Sequence, residues 1–273
     1  MSWSFEFFPP KTDEGLVHLL DTAKQLSMFK PEYFSVTHGA GGSTQDFTVG
    51  TIAALQKNHY QVAPHLSCIG ASKKSIRELL HYYQAQGVKR IVALRGDLPS
   101  GFGSAALDFQ YARDLVKFIR EETGHTFHIK VAAYPEGHPQ AKGLMHDFAC
   151  FKEKIDAGAD SAITQYFYNP EAYIQFVEDV RALGVKVPIV PGIMPIYNFT
   201  QLARFSDMCG AEIPRYLRKR LEFFGEDHDA VQEMGIEVVT RLCQDLIQAG
   251  APSLHFFTLN KAKVVTQILR NLV

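Results

Sequence analysis

Residues 3–7 read WSFEF, and they run into a phenylalanine, two prolines at 9 and 10, and a helical pattern that begins near Asp13. An apolar, β-rich run stopped by proline and handed to a helical stretch is one strand-to-helix unit. Seven further runs repeat the order: Tyr33–Val36, Val62–Leu66, Arg90–Leu94, Ile129–Ala133, Ser161–Thr164, Pro188–Val190 and Leu254–Phe257. None shows clear period-two alternation, as expected of parallel strands covered on both faces. Between them the spacing predicts helices over 13–28, 44–58, 73–86, 108–122, 140–157, 170–183 and 261–271. The region 198–248 is oversized for one helix and needs two or three. Ser72 and Asp108 stand where N-caps are wanted. Gly87, Gly124, Gly158 and Gly184 each follow a helical pattern, where a left-handed residue ends the helix. Eight such units predict an α/β fold: a single (β/α)8 TIM-type barrel with extra helices in the seventh β/α unit, one domain over residues 1–273.

The charge balance narrows the function. Lys+Arg (28) nearly matches Asp+Glu (29), for a formal charge of −1, so nothing marks a nucleic-acid or anionic-membrane surface. Cys68, Cys150, Cys209 and Cys243 are far apart and form no CxxC pair, which argues for free thiols in a reducing compartment. The opening MSWSFEFFPPKTDE has neither a basic n-region nor an apolar h-region, and no apolar run is long enough to span a bilayer. The expectation is a soluble, cytoplasmic protein.

Ligand sites of such barrels lie at the C-terminal ends of the strands. The residues at or just after those ends are Glu6, Thr37, His65, Arg95-Gly96-Asp97, Tyr134, Gln165 and Asn260-Lys261, while the seventh run ends in PGIMP (191–195). Glu6 has the sharpest context, because phenylalanines flank it and prolines follow. Apolar surroundings disfavour a charged carboxylate and raise its pKa towards the range of a general acid. The plainer reading pairs it with Arg95 or Lys11 at the barrel mouth.

LRGDLP (94–99) offers a cation, a flexible glycine and an anion at one strand end. Arg95 suits phosphate or a ring carbonyl, Gly96 permits close approach of a ligand ring, and Asp97 accepts from ring N–H groups. A loop salt bridge is the alternative. His65 is either a structural hydrogen-bonder or part of the site. GAGGST (39–44) could hold a phosphate on backbone N–H groups, but it lacks the P-loop and G-x-G-x-x-G registers. His138 and His146 form neither HxH nor HExxH, so no metal is expected. No G-x-S-x-G or cysteine-nucleophile signature occurs.

Taken in order, the motifs resemble the bacterial methylenetetrahydrofolate reductases. They are FEFFPPK (5–11), FSVTHGAGGST (34–44), APHLSC (63–68), RIVALRGDLP (90–99), VAAYPEGHP (131–139), DAGADSAITQYF (156–167), PGIMPIYNF (191–199) and LHFFTLNK (254–261). They run almost from one terminus to the other, at a length that matches the family's catalytic barrel alone. The resemblance implies bound FAD, NADH or NADPH as co-substrate, and ping-pong hydride transfer through the flavin to methylenetetrahydrofolate. It further implies a place in methionine biosynthesis and a homo-oligomer.

By the same resemblance, Glu6 and Asp97 are the catalytic pair: Glu6 protonates N10 of the folate, and Asp97 tunes the flavin potential. Thr37, His65, Arg95, Gly96, Asp97, Tyr111, Ala112, Ala132, Tyr134, His138, Asp147 and Lys154 fall where the family contacts FAD. Gln165, Phe199 and Lys261 fall where it contacts substrate. Departures from the family pattern are Cys150 and Glu153 on the helix expected near the FAD adenosine, His38 where tyrosine is frequent, and Phe257 and Lys261 near the folate tail. Two other readings compete: a flavin-free barrel carbon–carbon lyase, and a ligand-binding barrel that has lost reductase activity.

Overall fold

The computed structural model describes residues 1–38, 42–96 and 108–273, with side chains of 42–44 left aside. Its strands are β1 (Trp3–Phe7), β2 (Tyr33–Val36), β3 (Val62–Ser67), β4 (Arg90–Leu94), β5 (His128–Ala133), β6 (Ser161–Thr164), β7 (Ile189–Val190), β8 (Gly192–Ile193) and β9 (Leu254–Phe257). All pairings are parallel, in the order β7-β6-β5-β4-β3-β2-β1-β9-β8. β7 lies within the expected seventh run, 188–190, while β8 lies beyond its expected end, in PGIMP. Pro191 separates them because it has no N–H for the ladder; its carbonyl still accepts from His255 N at 3.1 Å. β7 pairs with β6 and β8 with β9, so the two short strands link the ends of the sheet into the expected TIM-type barrel.

The helices are α1 (Asp13–Ser27), α2 (Gly42–Lys57), α3 (Lys73–Ala85), α4 (Ala112–Thr123), α5 (Leu144–Asp156), α6 (Pro170–Ala182), α7 (Phe199–Cys209), α8 (Arg215–Phe224), α9 (His228–Gln248) and α10 (Lys263–Leu272). Three of them, α7 to α9, fill the oversized seventh unit. Ser72 caps α3 as read from sequence, in a reciprocal box with Ser75. Asp108 does not cap α4. That helix starts at Ala112 with Asp114 accepting from Tyr111 N at 2.9 Å, and Asp108 instead accepts from Lys73 N at 2.8 Å, across to α3. The capping chemistry was legible, but its target was non-local. α5 starts four residues later than its pattern suggested, after Gly143 at φ 141°. Gly87, Gly124, Gly158 and Gly184 all hold positive φ.

Two apolar layers result. Alternate strand residues face opposite sides, so Tyr33, Ala63, Val92, Ile163 and Val190 fill the barrel interior with Leu94 and Phe257. Phe5, Phe7, Phe34, Ile91, Ile129 and Phe256 belong to the much larger layer between strands and helices. The interior also holds polar groups, which is where the site begins. Among the described residues, no helix is long and apolar enough to cross a membrane.

Candidate active site at the strand ends

β1 sends Ser4 and Glu6 into the barrel and its phenylalanines outward. Glu6 pairs in register with Ser35 on β2 and Phe257 on β9. Three side chains therefore converge on its carboxylate. Its Oε2 lies 3.2 Å from His65 Nε2, 3.3 Å from His255 Nε2 and 3.5 Å from the Ser35 hydroxyl. The His65 contact is an ion-pair approach without an aligned hydrogen bond, since that nitrogen satisfies no bond geometry. His255 is wholly buried, and its Nδ1 meets the Ser4 hydroxyl at 2.7 Å. With Nε2–H donating to Glu6 and Nδ1 accepting from Ser4, both ring nitrogens are satisfied by one neutral tautomer.

This corrects the expected pKa of Glu6. Burial alone raises it, but His65 and His255 together outweigh burial and bring it down to about 2. The phenylalanines of FEFF do not reach the carboxyl, because the strand turns Phe5 and Phe7 to the opposite face. Nor is its partner Arg95 or Lys11. Lys11 is exposed, and Arg95 donates to Gln140 Oε1 at 2.6 Å and to Gly96 O at 3.4 Å. His255 is itself pushed down, first by burial, with Glu6 pulling the other way.

The lowered carboxyl has a stability consequence with a definite sign. A folded-state pKa of about 2 against an ordinary 4.5 stabilises the fold above pH 4.5 and loses that stabilisation as pH falls towards 2. The effect is on the order of 3 kcal/mol for this 16 % exposed side chain. Denaturant unfolding at a series of pH values between about 5 and 2 should show the parent losing stability more steeply than Glu6→Gln. Parallel curves would contradict the lowered carboxyl pKa.

The backbone of Glu6 is clamped too. Its carbonyl accepts from Thr258 Oγ1 at 2.6 Å and from Thr258 N at 3.3 Å. The next turn places Leu259 and Asn260 at φ 51° and 56°, and the Asn260 side chain bonds both N and O of Phe8, at 3.0 and 2.9 Å. Two consecutive non-glycine residues in the left-handed region cost a few kcal/mol in all, roughly. They persist because these contacts fix the turn against β1. Lys261 follows, exposed, with Nζ 5.0 Å from the Tyr197 ring centre. It lies beside a groove of about 700 Å³ whose walls include Asn198, Gln201 and His228.

A second group gathers on β5 and α5. Lys154 Nζ donates to Ala132 O at 2.6 Å and lies 5.9 Å from the Tyr134 ring, which meets His138 edge-on at 4.6 Å. Asp147 accepts from His138 N at 2.9 Å. Burial pushes Lys154 down to about 8, with Asp147 opposing. A cation desolvated in this way gains from an anionic ligand. Nearby Glu153, one of the departures, is neutralised by a close pair with Arg113, whose guanidinium also covers the Tyr111 ring at 4.6 Å. Cys150 lies 3.8 Å from His146 Nδ1.

The remaining sequence candidates have clear places. Thr37 donates N–H to Phe7 O at 2.9 Å, tying β2 to β1 at the mouth. Gln165 Oε1 accepts from Tyr166 N at 3.0 Å. Phe199 opens α7 under the guanidinium of Arg218, 5.9 Å from its ring centre. Ala112 begins α4. Gly96 is demanded by the fold, since at φ 85° an added Cβ would sit 2.0 Å from Ser67 Oγ. A side chain at this position would thus run into β3. Asp97 and the first three residues of GAGGST lie outside the described residues.

Sequence reasoning missed His255, Ser4 and Ser35. The missing signal was parity: each lies inside a strand, on the face that Glu6 occupies, and inspecting strand ends alone passes over them.

A carboxylate held between two imidazoles at the C-terminal mouth of a parallel barrel lies where this architecture carries its active sites. The profile of the methylenetetrahydrofolate reductase family matches residues 1–273, and the chain belongs to that family. It is 38 % identical over 270 residues to the 5,10-methylenetetrahydrofolate reductase of Salmonella typhimurium, covering 98 % of this chain and 90 % of that one. It is 40 % identical over 285 residues to methylenetetrahydrofolate reductase (NADH) 1 of Arabidopsis thaliana, covering 99 % of this chain but 48 % of the plant protein. Among solved structures, a Clostridium thermocellum protein that binds two copies of 5-methyl-5,6,7,8-tetrahydrofolic acid aligns with TM-score 0.69 at 18 % identity, over 99 % of this chain and 93 % of that chain. Dihydropteroate synthase from Thermus thermophilus aligns at 0.53 and 9 % identity, over 100 % of this chain and 94 % of its own, a likeness of fold alone. Family membership and the barrel together support methylenetetrahydrofolate reductase activity.

Proposed function

We propose that the chain reduces 5,10-methylenetetrahydrofolate to 5-methyltetrahydrofolate with NADH or NADPH, in ping-pong fashion through bound FAD, with Glu6 delivering the proton that opens the folate ring. The observation that carries this is the position of Glu6, at the end of β1, buried, and fixed through both carboxylate and carbonyl. An amine leaves poorly unless protonated, so ring opening needs a proton held at a defined atom.

The residues of β5 and α5 fit the cofactor. Lys154, desolvated and donating to a carbonyl, suits a phosphate group, and Arg95, Tyr134 and His138 extend the same strip towards β4. Thr37, His65, Gly96, Tyr111, Ala112, Ala132 and Asp147 complete the proposed FAD set together with Asp97, whose role would be to tune the flavin potential. When bound, FAD supplies the hydride carrier between nicotinamide nucleotide and folate. Gln165, Phe199 and Lys261 would hold the folate: an amide for the pterin, an aromatic wall, and a point charge for the tail carboxylate. The reading extends to a cytoplasmic homo-oligomer whose product serves methionine biosynthesis.

Absorbance tests this directly. The purified chain, as isolated or reconstituted with FAD, should be yellow and bleach anaerobically with NADH or NADPH. Methylenetetrahydrofolate should then restore the colour. A chain that stays colourless after reconstitution overturns the flavin reading and favours a flavin-free lyase. Flavin that is held but not bleached by either nucleotide overturns the reductase assignment.

A further inference from the structure

We propose that Asn260 is a positioning residue for the folate step: its side-chain amide splices the end of β1 to the turn after β9 and so holds Glu6 and Lys261 in one fixed relation. The inference rests on the reading of Glu6 as the proton donor and Lys261 as the contact for the folate tail. It names what sets their relative placement.

The sheet gives no support just past Glu6. The ladder between β1 and β9 stops at the pair Glu6–Phe257, and that between β1 and β2 at Phe7–Val36. Phe8 lies beyond both, its side chain is 47 % exposed, and Pro9 and Pro10 follow without an N–H to offer. Burial therefore does not anchor this stretch. Asn260 does: its Oδ1 accepts from Phe8 N at 3.0 Å, and its Nδ2 donates to Phe8 O at 2.9 Å. One side chain takes the place of a ladder partner, with acceptor and donor side by side. An aspartate of the same shape has only acceptors when ionised, and alanine has neither.

The backbone that carries this amide is held as firmly. Asn260 sits at φ 56°, directly after Leu259 at 51°, and asparagine is one of the few residues that tolerate this region. Its N–H donates to Thr258 Oγ1 at 3.1 Å, and its carbonyl accepts from Thr22 Oγ1 of α1 at 3.3 Å. The buried Tyr197 hydroxyl reaches the carbonyls of Thr258 and Lys261, at 3.1 and 3.0 Å. The turn is thus tied to β1, α1 and Tyr197 together, and Asn260 and Lys261 form part of the wall of the groove of about 700 Å³.

In the proposed reading the folate meets this unit twice, with its reacting nitrogen at Glu6 and its tail carboxylate at Lys261. Thr258 ties only the carbonyl of Glu6. Without the amide of Asn260 the chain beyond Glu6 is free to swing, and carboxylate and ammonium lose their common frame. A misplacement of about 1 Å at a reacting group can cost on the order of 10²-fold in rate. Hydride transfer from the nicotinamide nucleotide to flavin uses neither group.

Two measurements on the purified full chain test this. Hydrogen exchange of the Phe8 amide, followed by NMR, should be slow in the parent and at least about tenfold faster in Asn260→Ala. Stopped-flow absorbance of the FAD-loaded protein then separates the half-reactions. Asn260→Ala should slow flavin reoxidation by methylenetetrahydrofolate about tenfold or more, with flavin reduction by NADH or NADPH within about threefold of the parent. Asn260→Asp keeps the shape and the acceptor but loses the donor; it should show the same split and covers the case of an alanine variant that does not fold. Parent-like folate turnover in these variants overturns the proposal. So does an equal loss in both half-reactions, the mark of a merely structural change, or an unprotected Phe8 amide in the parent. Exchange needs neither folate nor flavin, so a failure of the reductase reading shows in the absorbance assay while Phe8 still reports on the splice.

Discussion

Glu6→Gln lowers turnover of methylenetetrahydrofolate by about 10²–10⁴-fold, the usual worth of a positioned general acid, while NAD(P)H still reduces bound FAD at a rate within about threefold of the parent. The split follows from the geometry. Glutamine keeps the size of the side chain and can still accept from His255 and Ser35, so the barrel mouth retains its shape. It cannot deliver a proton. Flavin reduction moves a hydride and asks nothing of this carboxyl. Stopped-flow absorbance of the two half-reactions measures each rate separately. Near-parent folate turnover in Glu6→Gln would end the assignment of Glu6 as the acid.

The largest expected loss of stability lies at the opposite end of the barrel. Arg120, on α4, donates from Nε to Gly158 O at 2.9 Å, from Nη1 to Gly124 O and Phe127 O at 3.0 and 2.8 Å, and from Nη2 to Asp160 at 2.5 Å. Its side chain is 12 % exposed. One guanidinium thus closes the turns before β5 and β6, and Asp160 carries the tie onward by accepting from Ile129 N at 2.7 Å. Arg120→Met leaves the carboxylate and three carbonyls without this donor and costs about 3–5 kcal/mol, the usual price of breaking a buried pair from one side. In a chain of this size that lowers the unfolding midpoint by roughly 10 °C. Adding Asp160→Asn to Arg120→Met should recover part of the loss, because the abandoned charge is then gone. Calorimetry showing Arg120→Met within about 1 kcal/mol of the parent would refute the network's role.

How legible this molecule was depends on the range of the interaction. The eight strand runs, the capping of α3 by Ser72 and the glycines that end helices all rest on residues within a few positions of one another, and the structure places them as read. Asp108 shows where the local reading stops: a capping residue stood there, but it serves α3, 35 residues earlier. The seventh run was read as ending before Pro191; that the chain pairs again just beyond it, as β8 on β9, depends on a strand more than 60 residues away and was not read.

For Glu6, sequence alone determined that an ionisable group ends the first strand of a parallel barrel, and therefore stands at the face where such barrels bind ligands. Only the tertiary structure decided its charge. The phenylalanines beside it in the chain are turned away by the period of two. The histidine that brackets it with Ser4 is 249 residues distant and arrives because β9 closes against β1. A pKa follows the groups within a few ångströms of the carboxyl, and in a closed barrel those groups come from neighbouring strands, whatever residues sit next to it along the chain.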